Sequence, residues 1–151
     1  MMLLPRPHLC NRIASETAGV VFLRAPAGAG KSVLLETLAK ELGAQICRTH
    51  QPQSDNAVNG NLLWDIPVFA RAVRMPAPIL ESVRFVVIAC RPDQRISGMA
   101  RHILHHGSLT IGPEELALRP DEADDLPPGQ RRLALEDYAG WPAFLSLARL
   151  P

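Results

Sequence analysis

Ala25-Pro26-Ala27-Gly28-Ala29-Gly30 is a run of small residues that ends in Lys31-Ser32. It follows the apolar stretch Val20-Val21-Phe22-Leu23 and precedes Val33, Leu34, Leu35, Leu38, Ala39 and Leu42, an apolar stripe at helical spacing. Strand, small-residue loop, Lys-Ser and helix in that order make the pattern of a phosphate-binding loop. The chemistry explains the residue types. Backbone N–H groups must close around phosphate oxygens, which larger side chains would obstruct. The unpaired N–H groups at the start of the helix add a positive dipole end aimed at the same anion. Lys31 can reach the β- and γ-phosphates of a nucleotide, and the Ser32 hydroxyl is the expected ligand for Mg²⁺. The pattern usually opens with Gly, where this chain has Ala25.

A second candidate stands at the end of another apolar run. Asp65 closes Leu62-Leu63-Trp64-Asp65, the place from which an acid holds Mg²⁺ in nucleotide-binding proteins with such a loop. A strand-end surface aspartate is the alternative reading. Ile66 follows, so no second acid is there to orient an attacking water, and nucleotide binding without efficient turnover is the expectation. His102 and His106 share a helix face at i, i+4. They lack the Glu of an H-E-x-x-H arrangement and any further ligand, so they read as a solvated, histidine-rich helix. Asp121, Glu122, Asp124 and Asp125 read as a solvated helix start favoured by the dipole. The 3 cysteines, Cys10, Cys47 and Cys90, are far apart and without C-x-x-C pairing. They indicate neither a disulfide framework nor a zinc site, and reduced thiols in a cytoplasmic protein are expected.

The elements that position these groups follow from the apolar pattern. Val20–Ala25 is the first strand, nearly continuous in apolar residues as a strand buried on both faces should be. The helix after the loop stops at Gly43. Ahead of both lies a proline-bounded arm with a short helical pattern at Leu9 and Ile13. Ala44–Thr49 reads as a second strand, His50–Asn61 as a polar loop, and Leu62–Asp65 as a third strand. Val68–Val73 reads as a short helix, Pro76–Ser82 as irregular chain, Arg84–Cys90 as a strand, Ser97–His106 as a helix and Leu109–Ile111 as a fifth strand. Further helices are expected at Gln130–Ala139 and Pro142–Arg149. Strands alternating with helices predict an α/β fold: a mostly parallel sheet with helices on both faces, the three-layer arrangement of phosphate-loop proteins. Residues 1–112 form its core, and 113–151 form a small helical end. The link from the second strand to the third is short and carries no helical stripe, which leaves a pared-down crossover or a disordered loop.

At 151 residues the chain fits one domain. Its net charge of +1 gives no electrostatic footprint for nucleic acid. The apolar start Met1–Leu4 is too short for a signal peptide, and no apolar run approaches a membrane span.

Several separated motifs together resemble one family. They are Leu4-Pro5-Arg6-Pro7, the segment Leu23–Leu35 with its Ala-Pro-Ala-Gly-x-Gly-Lys-Ser core, and Phe85-Val86-Val87-Ile88-Ala89-Cys90-Arg91. Leu118-Arg119-Pro120-Asp121-Glu122-Ala123 and Gly140-Trp141-Pro142-Ala143-Phe144-Leu145 complete the set. In order and rough spacing they are similar to the nucleotide-binding domain of MalT-like, LuxR-type transcriptional regulators of the STAND class of P-loop ATPases. In that family Ala or Ser commonly stands where Ala25 is. The resemblance implies that residues Ala25 through Val33 hold ATP or ADP, that Ser32 and Asp65 serve Mg²⁺, and that Arg91 is a sensor for the γ-phosphate. It further implies that Pro142 packs on the base and that Arg6 and Pro7 close over the adenine. A solvated loop arginine and a helix-start proline beside a core tryptophan are the plain readings of Arg91 and Pro142. Two features depart from the family: a shortened stretch near residues 50–60, and Asp65-Ile66 in place of Asp-Asp.

The expected function is an ATP/ADP-binding regulatory switch with weak or no hydrolysis. Its partners would be nucleotide and other domains or subunits of a regulator, with no membrane and no direct nucleic-acid binding by these residues. A small P-loop metabolite kinase and a degenerate P-loop module without nucleotide are the alternatives. No arginine-rich lid follows the third or fourth strand to support the kinase, and the absence of an Asn-Lys-x-Asp motif argues against a GTPase.

Overall fold

The computed structural model describes residues 6–15 and 19–117. Their centre is a five-stranded parallel sheet in the order β2-β3-β5-β1-β7. The strands are β1 (Val20–Arg24), β2 (Ile46–Cys47), β3 (Asn61–Asp65), β5 (Phe85–Cys90) and β7 (Ser108–Ile111). A separate two-stranded parallel pair joins β4 (Ala72–Arg74) to β6 (Arg95–Ser97). The helices are α1 (Pro7–Ala14), α2 (Lys31–Leu42), α3 (Ala77–Ser82), α4 (Ala100–His106) and α5 (Pro113–Leu116).

Alternation along the strands divides the core into two layers. Val21 and Leu23 of β1, Leu63 of β3 and Val87 and Ala89 of β5 pack with Leu34, Leu35 and Leu38 of α2, with Leu9, Cys10 and Ile13 of α1, and with Leu116 of α5. Val20 and Phe22, Leu62 and Trp64, and Val86, Ile88 and Cys90 point the other way. They meet Val73 of β4, Ile79 of α3 and Met99, with Ile96 of β6 and Ile103 of α4 packed at the margin. The α/β reading with a parallel sheet therefore holds for the described residues, and both faces of the sheet are covered.

Four local expectations are corrected. Val68–Val73 is not helical: Val68 and Phe69 lie exposed in a turn, and Val73 is drawn into β4 by its pairing with Ile96. Pro76–Ser82 is not irregular, because Pro76 stands as N-cap to α3 and a further proline occupies its first turn, where a missing N–H costs nothing. Ser97–His106 splits into the end of β6, a turn at Gly98 and then α4. The second strand shrinks to Ile46–Cys47 at the sheet edge.

The β2–β3 link is a pared-down crossover. A 3-10 turn at Ser54–Asn56 is closed on itself, with Gln53 N–H donating to Asn56 Oδ1 at 2.7 Å. Asn59-Gly60 then forms a tight turn, both residues at positive φ (55° and 78°), with Val58 and Asn61 exchanging backbone bonds of 2.9 Å. Trp64 Nε1 donates to the Thr49 carbonyl at 2.8 Å and fastens the crossover to β3. At the other end of the described chain, the buried Arg6 guanidinium donates to the carbonyls of Leu116 (2.7 Å) and Ala117 (3.0 Å). The amino-terminal arm is thereby held on α5. The helices expected after residue 117, and Pro142 with them, lie outside the described residues.

Candidate functional site

In a parallel sheet every strand ends on the same edge, and residues that follow different strands meet there. β1 runs into the small-residue loop, β3 ends in Asp65, and β5 is followed by Arg91. The registers Arg24 with Cys90 and Asp65 with Ala89 bring the strand ends level. Strand pairing alone thus gathers groups separated in sequence by tens of residues.

Within the loop, left-handed backbone falls on the two glycines, Gly28 and Gly30, both at φ 87°. Ala25, Ala27 and Ala29 keep ordinary conformations, so alanine is tolerated at each. Ala25 is fully buried, and its N–H donates to the Cys90 carbonyl at 3.1 Å, extending the β1–β5 ladder by one rung. This accounts for Ala in place of the usual opening Gly: the position needs a small residue with β-type backbone, not a positive φ. Pro26, Ala27 and Gly28 are exposed at the tip, while Ala29 is buried and anchors the loop. Gly30 then serves as N-cap of α2 without any side-chain cap, which leaves the first-turn N–H groups for another acceptor. Leu34, Leu35 and Leu38 hold that helix end against the sheet.

The charged groups are in contact. Ser32 Oγ donates to Asp65 Oδ2 at 2.8 Å, joining the start of α2 to the end of β3. Lys31 Nζ donates to the carbonyls of Ala25 and Pro26, the latter at 2.8 Å, so the ammonium folds over its own loop. Burial holds the Lys31 pKa below the ordinary lysine value; the thiol of Cys90 and the carboxylate of Asp65 oppose that shift, and Arg91 adds to it. Lys31 therefore senses the charges of Asp65 and Arg91 at one sheet edge. Two cations beside each other, one of them partly desolvated, favour an anion between them. A hydroxyl and a carboxylate within one hydrogen bond are hard oxygen donors of the kind that bind Mg²⁺. Ile66 is buried in the second core layer, 4% exposed, so no side chain there can work on a water at the edge.

Of the residues expected from the sequence, Ala25 to Ser32, Asp65 and Arg91 share this edge, and Val33 lies in the first turn of α2. Arg6 is engaged with α5 and Pro7 opens α1. The histidine helix has no buried residue, as expected of a solvated helix, but His102 turns partly inward. The His102 and His106 rings lie 4.6 Å apart, and His102 Nε2 is buried near Gly19. Among the described residues no group of three His, Cys, Asp or Glu side chains could hold a metal ion, and no helix is long and apolar enough to cross a membrane.

Sequence reasoning missed two residues at this edge. Arg24, last in β1, stacks its guanidinium 5.7 Å from the Phe22 ring centroid and donates to the Gln94 carbonyl at 3.2 Å. Gln94 itself is 3% exposed and makes side-chain bonds to the segments following β3 and β5. A glutamine after Pro-Asp carries the signature of an exposed turn, and no local signal marks it as buried. Searches against models of known protein families and against curated proteins find no match to this chain.

Proposed function

We propose that this chain is a P-loop nucleotide-binding module, taking ATP or ADP with Mg²⁺ at residues 25–33, and that it acts as a regulatory switch with weak or no hydrolysis. The observation that carries the reading is the Ser32–Asp65 contact of 2.8 Å beside Lys31. It joins the residue after the loop lysine to an acid on another strand, and no packing requirement of the apolar core calls for that pair. In this reading the loop N–H groups and Lys31 bind phosphate oxygens, and Ser32 and Asp65 hold Mg²⁺, directly or through water. When bound, Mg²⁺ offsets the charge of the β- and γ-phosphates. Lys31 exchanges its loop carbonyls for phosphate, a stronger charge-assisted acceptor. Arg91 reads the γ-phosphate, and the buried Ile66 stands where a second acid would orient the attacking water. The likeness of the motifs to MalT-like, LuxR-type regulators supports the switch role, with other domains or subunits as its output.

Calorimetric titration with ATP and ADP, each with Mg²⁺, tests this on the wild type and on Lys31→Ala. The wild type should bind both, and Lys31→Ala should weaken each by about tenfold or more, as loss of a charge-assisted bond does. A wild type that binds neither nucleotide at millimolar concentration sinks the proposal and leaves a degenerate module in its place.

A further inference from the structure

One buried amide ties together the chain leaving two strands, β3 and β5. Gln94 Nε2 donates to the carbonyls of Pro67 and Ala70, both at 2.8 Å, and its Oε1 accepts the Arg91 N–H at 2.8 Å. Its backbone closes the same turn, donating to the Arg91 carbonyl at 3.2 Å and accepting from Arg24 Nη1 at 3.2 Å. The partners dictate the amide's orientation. Two carbonyls need the NH₂ group and one N–H needs the oxygen, so a flipped amide would lose all three bonds. Pro67 lies just past Asp65, Arg91 just past β5, and Arg24 just before the phosphate loop.

We infer that Gln94 is a positioning residue: it holds Arg91 at a set place relative to Asp65 and so determines the preference for ATP over ADP. The inference rests on the nucleotide reading above. Arg91 carries a long, half-exposed side chain, and the turn behind it, Pro92-Asp93, is exposed. Left alone, such a turn would let the guanidinium wander. Gln94 instead binds both the N–H and the carbonyl of residue 91, which removes most of its backbone freedom. The same side chain grips the segment that continues from Asp65. The backbone from which the Arg91 side chain leaves is thus tied to the segment that follows Asp65. The γ-phosphate exists only in ATP, so a displaced Arg91 lowers ATP affinity and leaves ADP affinity nearly intact.

The test is titration of ATP and ADP with Mg²⁺ on the wild type, Gln94→Met, Gln94→Glu, Arg91→Ala and the double variant Gln94→Met/Arg91→Ala. Methionine keeps the volume and removes the three bonds. Gln94→Met should reduce the ATP-over-ADP ratio about tenfold while the ADP constant stays within about twofold. The double variant should discriminate no worse than Arg91→Ala alone, because Gln94 acts through Arg91. An unchanged ratio in Gln94→Met, a wild type that does not discriminate, or losses that multiply in the double variant overturn the positioning role and leave the nucleotide reading standing. A wild type that binds neither nucleotide overturns both. Should Gln94→Met not fold, Gln94→Glu decides the matter. Its carboxylate faces the Pro67 and Ala70 carbonyls, so burial and those oxygens raise its pKa above the ordinary glutamate value, and protonation restores a donor there. Its discrimination, taken relative to the wild type at each pH, should recover on acidification; a ratio indifferent to pH counts against the proposal.

Discussion

The two faces of the sheet are covered by different means. On one face α2, 12 residues long, lays Leu34, Leu35 and Leu38 across β1, β3 and β5, and α1 adds Leu9, Cys10 and Ile13. On the other, the cover is assembled from α3 with 6 residues, α4 with 7 and the β4–β6 pair. Helices that short have little stability of their own, and each end leaves backbone groups to be satisfied. Directed bonds fasten the chain between these elements: Met75 N–H to the Ser97 carbonyl, Arg95 N–H to the Arg71 carbonyl, and the Gln94 amide to Pro67 and Ala70. The first face is held mainly by apolar area, with the Arg6 bonds to Leu116 and Ala117 beside it. The second is held by area together with directed bonds, and those bonds reach the edge where Asp65 and Arg91 stand. The edge is thus positioned from both sides, by packed area on one and by directed bonds on the other.

The largest effect should come from breaking the first face. Leu35 is fully buried in the layer between α2 and the sheet. Leu35→Ala removes its transfer free energy and leaves a cavity that a stiff helix on a sheet cannot collapse, costing about 2–5 kcal/mol. Urea unfolding measures it. A cost under about 1 kcal/mol would mean that this face is not held by close packing. Because α2 carries the loop lysine and serine at its start, the loss should appear as a shift of the whole unfolding transition.

A pH experiment sharpens the same comparison from the thiol side. Cys10 lies in the α1–α2 layer at 1% exposure, and burial, assisted by Glu41 and opposed by Arg6, raises its pKa from 9.0 to about 11. The folded chain then holds this proton more tightly than the unfolded chain does. Its contribution to stability is complete below about pH 9 and is lost as pH rises toward about 11, about 3 kcal/mol in all. Cys90, on the other face, shifts in the same direction through burial, but Arg24 and Lys31 beside it oppose the rise. Lys31 acts with the opposite sign, since its lowered pKa makes the folded state gain stability as pH rises toward the ordinary lysine value. The informative quantity is therefore the difference between Cys10→Ala and the wild type. The wild type should lose more stability over that interval, and parallel curves would remove Cys10 from the account.

The same division explains what the sequence makes legible. The first strand, the loop and α2 are read correctly because their signals are local: a continuous apolar run, a small-residue loop with Lys-Ser, and a stripe at helical spacing ended by Gly43, which adopts φ 62° as the C-cap. Ser32 and Asp65 meet because both lie at the edge where parallel strands end, a consequence of topology that the α/β pattern already implies. Between residues 66 and 99 the determinants are distant. Val73 is a strand residue only because Ile96 lies beside it. Gln94 is buried only because the chain after β3 brings two carbonyls to it. Gly98 needs its φ of 84° where a side chain would meet the Met75 carbonyl at 2.6 Å. Nothing in a window of neighbours records these partners. Arg91 reaches the same edge only because β5 pairs between β3 and β1.

The smallest effect should come from a single directed bond on the second face. Trp64 is fully buried in that layer, and its Nε1 donates to the carbonyl of the exposed Thr49 at 2.8 Å. Trp64→Phe keeps most of the apolar contact and removes the donor. The Thr49 carbonyl can turn to water, so the cost should be near the net value of one hydrogen bond plus a small volume change, about 1 kcal/mol. The consequence should also be local. The crossover at 49–61 is fastened to β3 chiefly by this bond and by the Val58–Asn61 pairing. Its amides should exchange faster with solvent in Trp64→Phe, while those of α2 and β1 keep their protection. Leu35→Ala should lower protection in all of these elements together. If Trp64→Phe instead lowers protection throughout, the crossover is part of the same cooperative unit as α2, and the division between a face held by area and a face held by bonds does not extend to the edge of the sheet.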